Sequence, residues 1–159
     1  MTTRLGLLTA LTLSLTLGAL IGAAAGKPDF TGEWILIPAK SDFGPMPAPE
    51  KLTRKIDHKD PDLKITTITS AQGNERTNDS AYKTDGSESV NKYGQAEAKS
   101  VVKWEGSVLT VATKREIQGN TIEQNEKWTL SEDGKTLTVD GNIKAPQGEL
   151  AIKLVMEKK

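Results

Sequence analysis

The chain has 159 residues, with 21 basic and 21 acidic side chains, one histidine and no cysteine. Disulfides, thiolate catalysis and cysteine-ligated zinc are therefore excluded. A net charge of zero also lacks the basic excess that neutralising phosphates requires, which argues against nucleic acid as a partner.

Met1 to Arg4 carries one positive side chain, and Leu5 to Ala25 then runs 21 residues without a charge into the small-residue patch Gly22-Ala23-Ala24-Ala25-Gly26. Charged start, apolar centre and small-residue cut site are the layout of a secretory signal peptide. The reading predicts cleavage after Ala25, a single domain over residues 26–159, and bacterial export to the periplasm or beyond. The alternative is an uncleaved anchor, because a run of this length can cross a bilayer. With no cysteine at the cut site a lipid-anchored lipoprotein is excluded, and no membrane span is expected after cleavage.

From Glu33 onward the chain repeats two-residue alternation between glycine-bearing turns, and no window sustains a helical stripe. The predicted strands are Glu33 to Ile37, Leu52 to His58, Leu63 to Ser70, Glu75 to Lys83, Ser87 to Lys92, Ala98 to Trp104, Ser107 to Ile117, Thr121 to Leu130, Thr136 to Ile143 and Glu149 to Glu157. In the last of these, Leu150, Ile152, Leu154 and Met156 share one face. Glu75 to Lys92 is polar and thin in β-branched residues, so its two strands are expected to be edge-like or partly loop. Such a meander hides its edges best by closing, which predicts an all-β, up-and-down barrel of about eight to ten antiparallel strands. A two-layer sandwich fits the same pattern. Residues 38–49 hold four prolines (Pro38, Pro45, Pro47, Pro49) and are expected to form an extended loop across one mouth of the barrel. Lys103-Trp104 and Lys127-Trp128 each end a strand before a turn and a return strand, an echo read as two similar hairpins.

Phe30-Thr31-Gly32-Glu33-Trp34 is similar to the Gly-x-Trp start of the first strand in lipocalins and the wider calycin group. The stretches Lys103 to Gln118 and Lys127 to Val139 resemble paired hairpins of lipocalin-like and fatty-acid-binding-protein-like barrels. The resemblance implies a barrel closed at one end by Gly32 and Trp34, in an exported bacterial protein without an assigned activity. Two departures stand out. The late arginine that stacks on the lipocalin tryptophan is missing, the last strand offering only Lys153, which points away from Ile152 and Leu154. The arginine–tyrosine pair with which fatty-acid-binding proteins hold a carboxylate near the chain end is also missing, so ligand type does not carry over.

Enzyme motifs are scarce. A serine–histidine–aspartate arrangement would have to use His58, yet no nucleophile elbow is present, and the plain reading is a solvated strand-end histidine. Asp57, Asp60 and Asp62 lack calcium-loop spacing and read as a charged turn. Gly134-Lys135-Thr136 lacks the rest of a phosphate loop. Asn78-Asp79-Ser80 fits a glycosylation acceptor. No cofactor or metal site is expected.

The parity of the strands carries more information. If Ile122, Trp128 and Leu130 point inward, so do Gln124 and Glu126, and Arg54 and His58 share a face with Leu52 and Ile56. Buried charge needs partners or water. Either these groups sit at strand ends, or a wet cavity gathers Arg54, His58, Trp104, Gln124, Glu126 and Trp128 around a small molecule. Three functions follow: a non-catalytic, exported binder of an apolar or amphipathic small molecule; a filled barrel serving as a structural or protein-interaction domain of the envelope, with Ile35, Ile37, Phe43 and Met46 exposed near one mouth; or a hydrolase using a carboxylate pair such as Glu116 with Glu126. No motif asks for an enzyme, and the first is the expected function.

Overall fold

The computed structural model describes residues 26–159; the predicted signal peptide falls on residues 1–25, outside the described residues. Ten strands follow one another as hairpins: β1 (Gly32–Leu36), β2 (Lys51–Lys59), β3 (Asp62–Ala71), β4 (Asn74–Lys83), β5 (Asp85–Tyr93), β6 (Ala96–Glu105), β7 (Val108–Ile117), β8 (Asn120–Leu130), β9 (Thr136–Ala145) and β10 (Gly148–Lys158). They form one antiparallel sheet in the order β4-β3-β2-β1-β10-β9-β8-β7-β6-β5. A single sheet whose two ends come together sets the sandwich aside. The first and last strands join through Trp34↔Lys158 and Leu36↔Met156, so the meander curls into a nearly closed barrel.

Turn chemistry fixes the register. Gln72-Gly73 and Gln118-Gly119 both have positive φ at each residue, 52° and 73°, 51° and 76°. That is the backbone a two-residue hairpin loop demands, and glycine supplies half of it without steric cost. The two polar strands, β4 and β5, are the edges of the sheet. Their weak β propensity is tolerable because each pairs along its backbone on one side only.

Inward-facing side chains are graded along the barrel axis. At one end Phe30, Trp34, Leu63, Leu109, Leu137, Val139 and Met156 are fully or nearly fully buried in a single cluster. Moving toward the other end along the same faces, Leu63 and Ile65 give way to Thr67 and Thr69, Leu109 and Val111 to Thr113 and Arg115, and Trp128 to Glu126 and Gln124. Period-two sorting puts all of them inside, and their chemistry divides the interior into a dry end and a wet one. Burying a leucine of this kind stabilises by about 2–5 kcal/mol against alanine.

The proline segment differs from its expected position. A short 3-10 turn at Pro38–Lys40 leads into a bridge between Asp42 and Lys153, with N–H···O distances of 2.8 and 2.7 Å. Ser41 Oγ donates to the Ile37 carbonyl and accepts the Val155 N–H at 2.9 Å. The segment therefore continues the pairing of the short β1 along the longer β10, as a strap in the wall rather than a cover over the mouth. Phe43 packs on the core, and of the four apolar residues expected to be exposed only Met46, at 42%, is largely so.

Candidate functional site

The closed end is built around Trp34, which is 0% exposed. Its indole N–H donates to the Phe30 carbonyl at 2.8 Å, and the ammonium of Lys158 lies 5.4 Å from the ring centroid. The cation over the tryptophan, which Lys153 faces away from supplying, thus comes from Lys158, the last residue of β10 and the register partner of Trp34. Gly32 explains its own place. A Cβ there would sit 2.5 Å from Lys158 Cε, and its φ of 149° is one that residues with side chains rarely adopt. Phe30 stacks on Trp104 at 5.9 Å and meets Trp128 edge-on at 5.9 Å.

His58 belongs to this plug, its side chain 5% exposed, so the solvated strand-end reading is corrected. Its Nδ1 accepts the Phe30 N–H at 3.3 Å and its Nε2 stands 3.5 Å from Asp60 Oδ1. Asp60 gathers donors: Lys27 Nζ at 2.6 Å, Trp104 Nε1 at 3.1 Å and the Thr84 hydroxyl. Burial by itself would raise the Asp60 carboxyl, but the hydrogen bonds from Lys27, Thr84 and Trp104 outweigh it and hold the group well below the usual carboxylate range. His58 and Trp104 therefore close the barrel and do not line its cavity. Asp57 on β2 and Asp62 at the start of β3 are exposed, and among the described residues no cluster of acids or histidine is arranged to hold a metal.

The wet end encloses a cavity of about 300 Å³. Leu63, Ile65, Val111 and Trp128 form its apolar floor, while Thr67, Thr69, Asn78, Ser80, Thr113, Tyr82 and Tyr93 make most of its wall. Of the residues predicted to meet inside the barrel, Arg54, Gln124, Glu126 and Trp128 do so. Glu126, 8% exposed, accepts from Gln124 Nε2 at 2.6 Å and from Trp128 Nε1 at 2.8 Å, which satisfies one lone pair on each oxygen. Gly141, facing Glu126 across the β8–β9 ladder, leaves room that Ile152 fills; a Cβ there would lie 2.8 Å from Ile152 Cγ1. Glu116 is exposed on the outer face of β7, so the carboxylate pair considered for hydrolysis does not form.

Among the lining residues that the sequence reading did not place in the site, Arg115 carries the charge. Arg115 shares the parity of Leu109 and Val111, the signal by which Arg54 was found, and its guanidinium lies 6.0 Å from the Tyr93 ring. Arg54 lies 5.0 Å from the Trp128 ring. Among the described residues neither has a carboxylate within ion-pair distance. Arg54 Nε and Nη1 and Arg115 Nε are buried and have no acceptor among the described residues. The phenol of Tyr82 is pushed up by burial and by its neighbour Tyr93, so it stays a neutral hydrogen-bonding group, 2.9 Å from the Tyr93 hydroxyl. Asn78 also lines this cavity and donates to Ser80 at 3.1 Å, which turns the asparagine of the glycosylation-like triplet inward. A depression of about 520 Å³ over Ala112, Asn125 and Asn142 is roomier, but it is a hollow on the outer face of the sheet without orphaned donors.

The barrel matches solved structures along most of its length. Zebrafish ileal bile acid-binding protein complexed with cholic acid is 19% identical with a TM-score of 0.60, the match covering 82% of this chain and 98% of that one. The fold is that of calycin-type, fatty-acid-binding-protein-like barrels. A secretory abundant heat soluble protein from Ramazzottius varieornatus matches over 86% of this chain and 98% of its own, at 15% identity and a TM-score of 0.58. The REP1-NXSQ fatty acid transporter does so over 82% and 96%, at 14% identity and a TM-score of 0.56. No family profile and no curated protein sequence matches the chain. At these identities the likeness is one of fold, and the all-β meander barrel expected from the sequence is what the chain forms.

Proposed function

We propose that this protein is a non-catalytic binder that takes one small amphipathic molecule into the barrel, after export and removal of residues 1–25. The single observation that carries the reading is the pair of guanidinium groups, Arg54 and Arg115, with buried N–H groups that no described residue accepts. An unpartnered buried donor costs about 1–3 kcal/mol, more when charged, and an acidic ligand group removes that cost. Two guanidinium groups stand against one carboxyl already occupied by Gln124 and Trp128, so the cavity favours a single negative charge. The apolar floor suits a hydrocarbon or ring portion beneath it. Proteins of this fold whose names refer to bile acid and fatty acid, both acids, are in keeping with the reading.

The test pairs an acid with its neutral twin. Dodecanoate and dodecanol should displace a fluorescent apolar probe with unequal strength, the acid about tenfold or more tighter, equivalent to about 1.4 kcal/mol. Arg54→Met and Arg115→Met should each remove most of that preference, while an exposed control, Arg76→Met, should not. Equal binding of acid and alcohol would overturn the acidic-group assignment, and displacement by neither would overturn the binding reading itself.

A further inference from the structure

We propose that Glu126 makes the cavity selective for a hydroxy acid, an amphipathic acid whose hydroxyl stands one or two carbons from the acidic group; this rests on the reading of the cavity as the seat of an acid. A carboxylate is an unexpected neighbour for such a ligand. It repels the acid that Arg54 and Arg115 attract, and a buried carboxylate is ordinarily offset by an ion pair. No ion pair forms. Glu126 is 8% exposed, and its hydrogen-bond partners among the described residues are both neutral, Gln124 Nε2 at 2.6 Å and Trp128 Nε1 at 2.8 Å.

The arrangement holds cation and carboxylate apart around one ring. Trp128 gives its N–H to Glu126, while the Arg54 guanidinium lies over its face, 5.0 Å from the centroid. The stem of Glu126 is bordered by Ile152, which fills the space that Gly141 leaves on β9; a Cβ there would lie 2.8 Å from Ile152 Cγ1 and 3.8 Å from Glu126 Cγ. A carboxylate has about four lone-pair positions, and the two neutral donors fill two of them. Cavity hydroxyls do not fill the others, since Tyr82 is bonded to Tyr93 at 2.9 Å and Thr113 to Ser100 at 2.8 Å. Acceptor capacity on Glu126 and unbonded donors on Arg54 therefore border the same space. A ligand that presents its acid to the guanidinium and a hydroxyl to Glu126 satisfies both, and the O–H···O bond offsets the repulsion between the two carboxylates. A plain acid satisfies the arginine alone, and a site built to bond a hydroxyl discriminates against the analogue that lacks it.

Isothermal titration calorimetry with four acids of one chain length tests this: dodecanoate, 2-hydroxydodecanoate, 3-hydroxydodecanoate and 12-hydroxydodecanoate. The 2- or the 3-hydroxy acid should bind about tenfold or more tighter than dodecanoate, and the 12-hydroxy acid, with its hydroxyl at the far end, should gain nothing. Glu126→Gln keeps the shape and removes the charge. It should bind dodecanoate more tightly, by about threefold or more, and the favoured hydroxy acid more weakly. Opposite shifts for two ligands do not arise from a general loss of structure, which weakens both. If the variant does not fold, the wild-type series decides by itself. Dodecanoate binding as tightly as both the 2- and 3-hydroxy acids, an equal gain by the 12-hydroxy acid, or a variant that shifts both ligands the same way would overturn the role of Glu126 and leave the acid site standing. Binding of none of the four would overturn the binding reading and this assignment with it.

Discussion

At the scale of single residues, the closed end depends on a missing side chain. Gly32 lets the Lys158 chain cross to the face of Trp34. Gly32→Ala should therefore strain the backbone and push Lys158 aside together, destabilising by about 1–3 kcal/mol. Lys158→Met keeps the length of the chain but loses the charge over the indole, worth about 0.5–1 kcal/mol at a partly exposed site. Urea midpoints of the two variants check both, and a Gly32→Ala protein as stable as wild type would remove the account of the Gly-x-Trp start. Lys158 was hard to find from sequence because the last strand was ended at Glu157, one residue short. Arg115 was legible, since Leu109, Val111, Thr113 and Arg115 alternate without interruption. His58 was misread because its burial comes from Phe30 and Trp104, contacts made across the barrel that local pattern does not encode.

At the scale of elements, the segment before β1 acts as a plug held by acidic and aromatic contacts rather than by ladder bonds. Asp60 ties Lys27, Thr84 and Trp104 to the β2–β3 turn. Its carboxyl is held below the ordinary range in the folded state, so ionised Asp60 favours folding at pH above the unfolded carboxylate value, near 4 by the usual reference of about 3.9. That contribution is lost as the pH falls below it toward the folded value. Asp60→Asn should thus be less stable than wild type at pH 7, with the gap narrowing as the pH falls below about 4. Thermal unfolding at a series of pH values reads this directly, and a gap that widens in acid would contradict it. The strands themselves were legible nearly to the residue, because a period of two with glycine turns is a local signal. The strap at residues 38–49 was not. Proline showed that it could be no inner strand, but its bridge from Asp42 to Lys153 joins residues 111 positions apart.

At the scale of the whole molecule, the barrel spends its stabilising contacts at one end and leaves the other unfinished. Phe30, Trp34 and Trp128 make a packed floor, above which two arginines and a row of threonines face about 300 Å³ of space. A barrel serving only as a filled structural element would gain by replacing those buried cations with apolar groups, since unpaired buried charge is destabilising. Arg54→Met with Arg115→Met is accordingly expected to raise the thermal midpoint while abolishing binding of an acid, the trade expected of a site kept for function. A double variant less stable than wild type would count against it.

The most direct measurement is the side-chain NMR of the arginines. Residues 26–159 contain three, Arg54, Arg76 and Arg115, and a protein of those residues gives three Nε–H signals. Titration with dodecanoate should move the signals of Arg54 and Arg115 together and leave that of Arg76 in place, with dodecanol moving none of the three. Shifts confined to Arg76, or equal shifts with acid and alcohol, would contradict the assignment of the barrel interior as the seat of an acidic ligand.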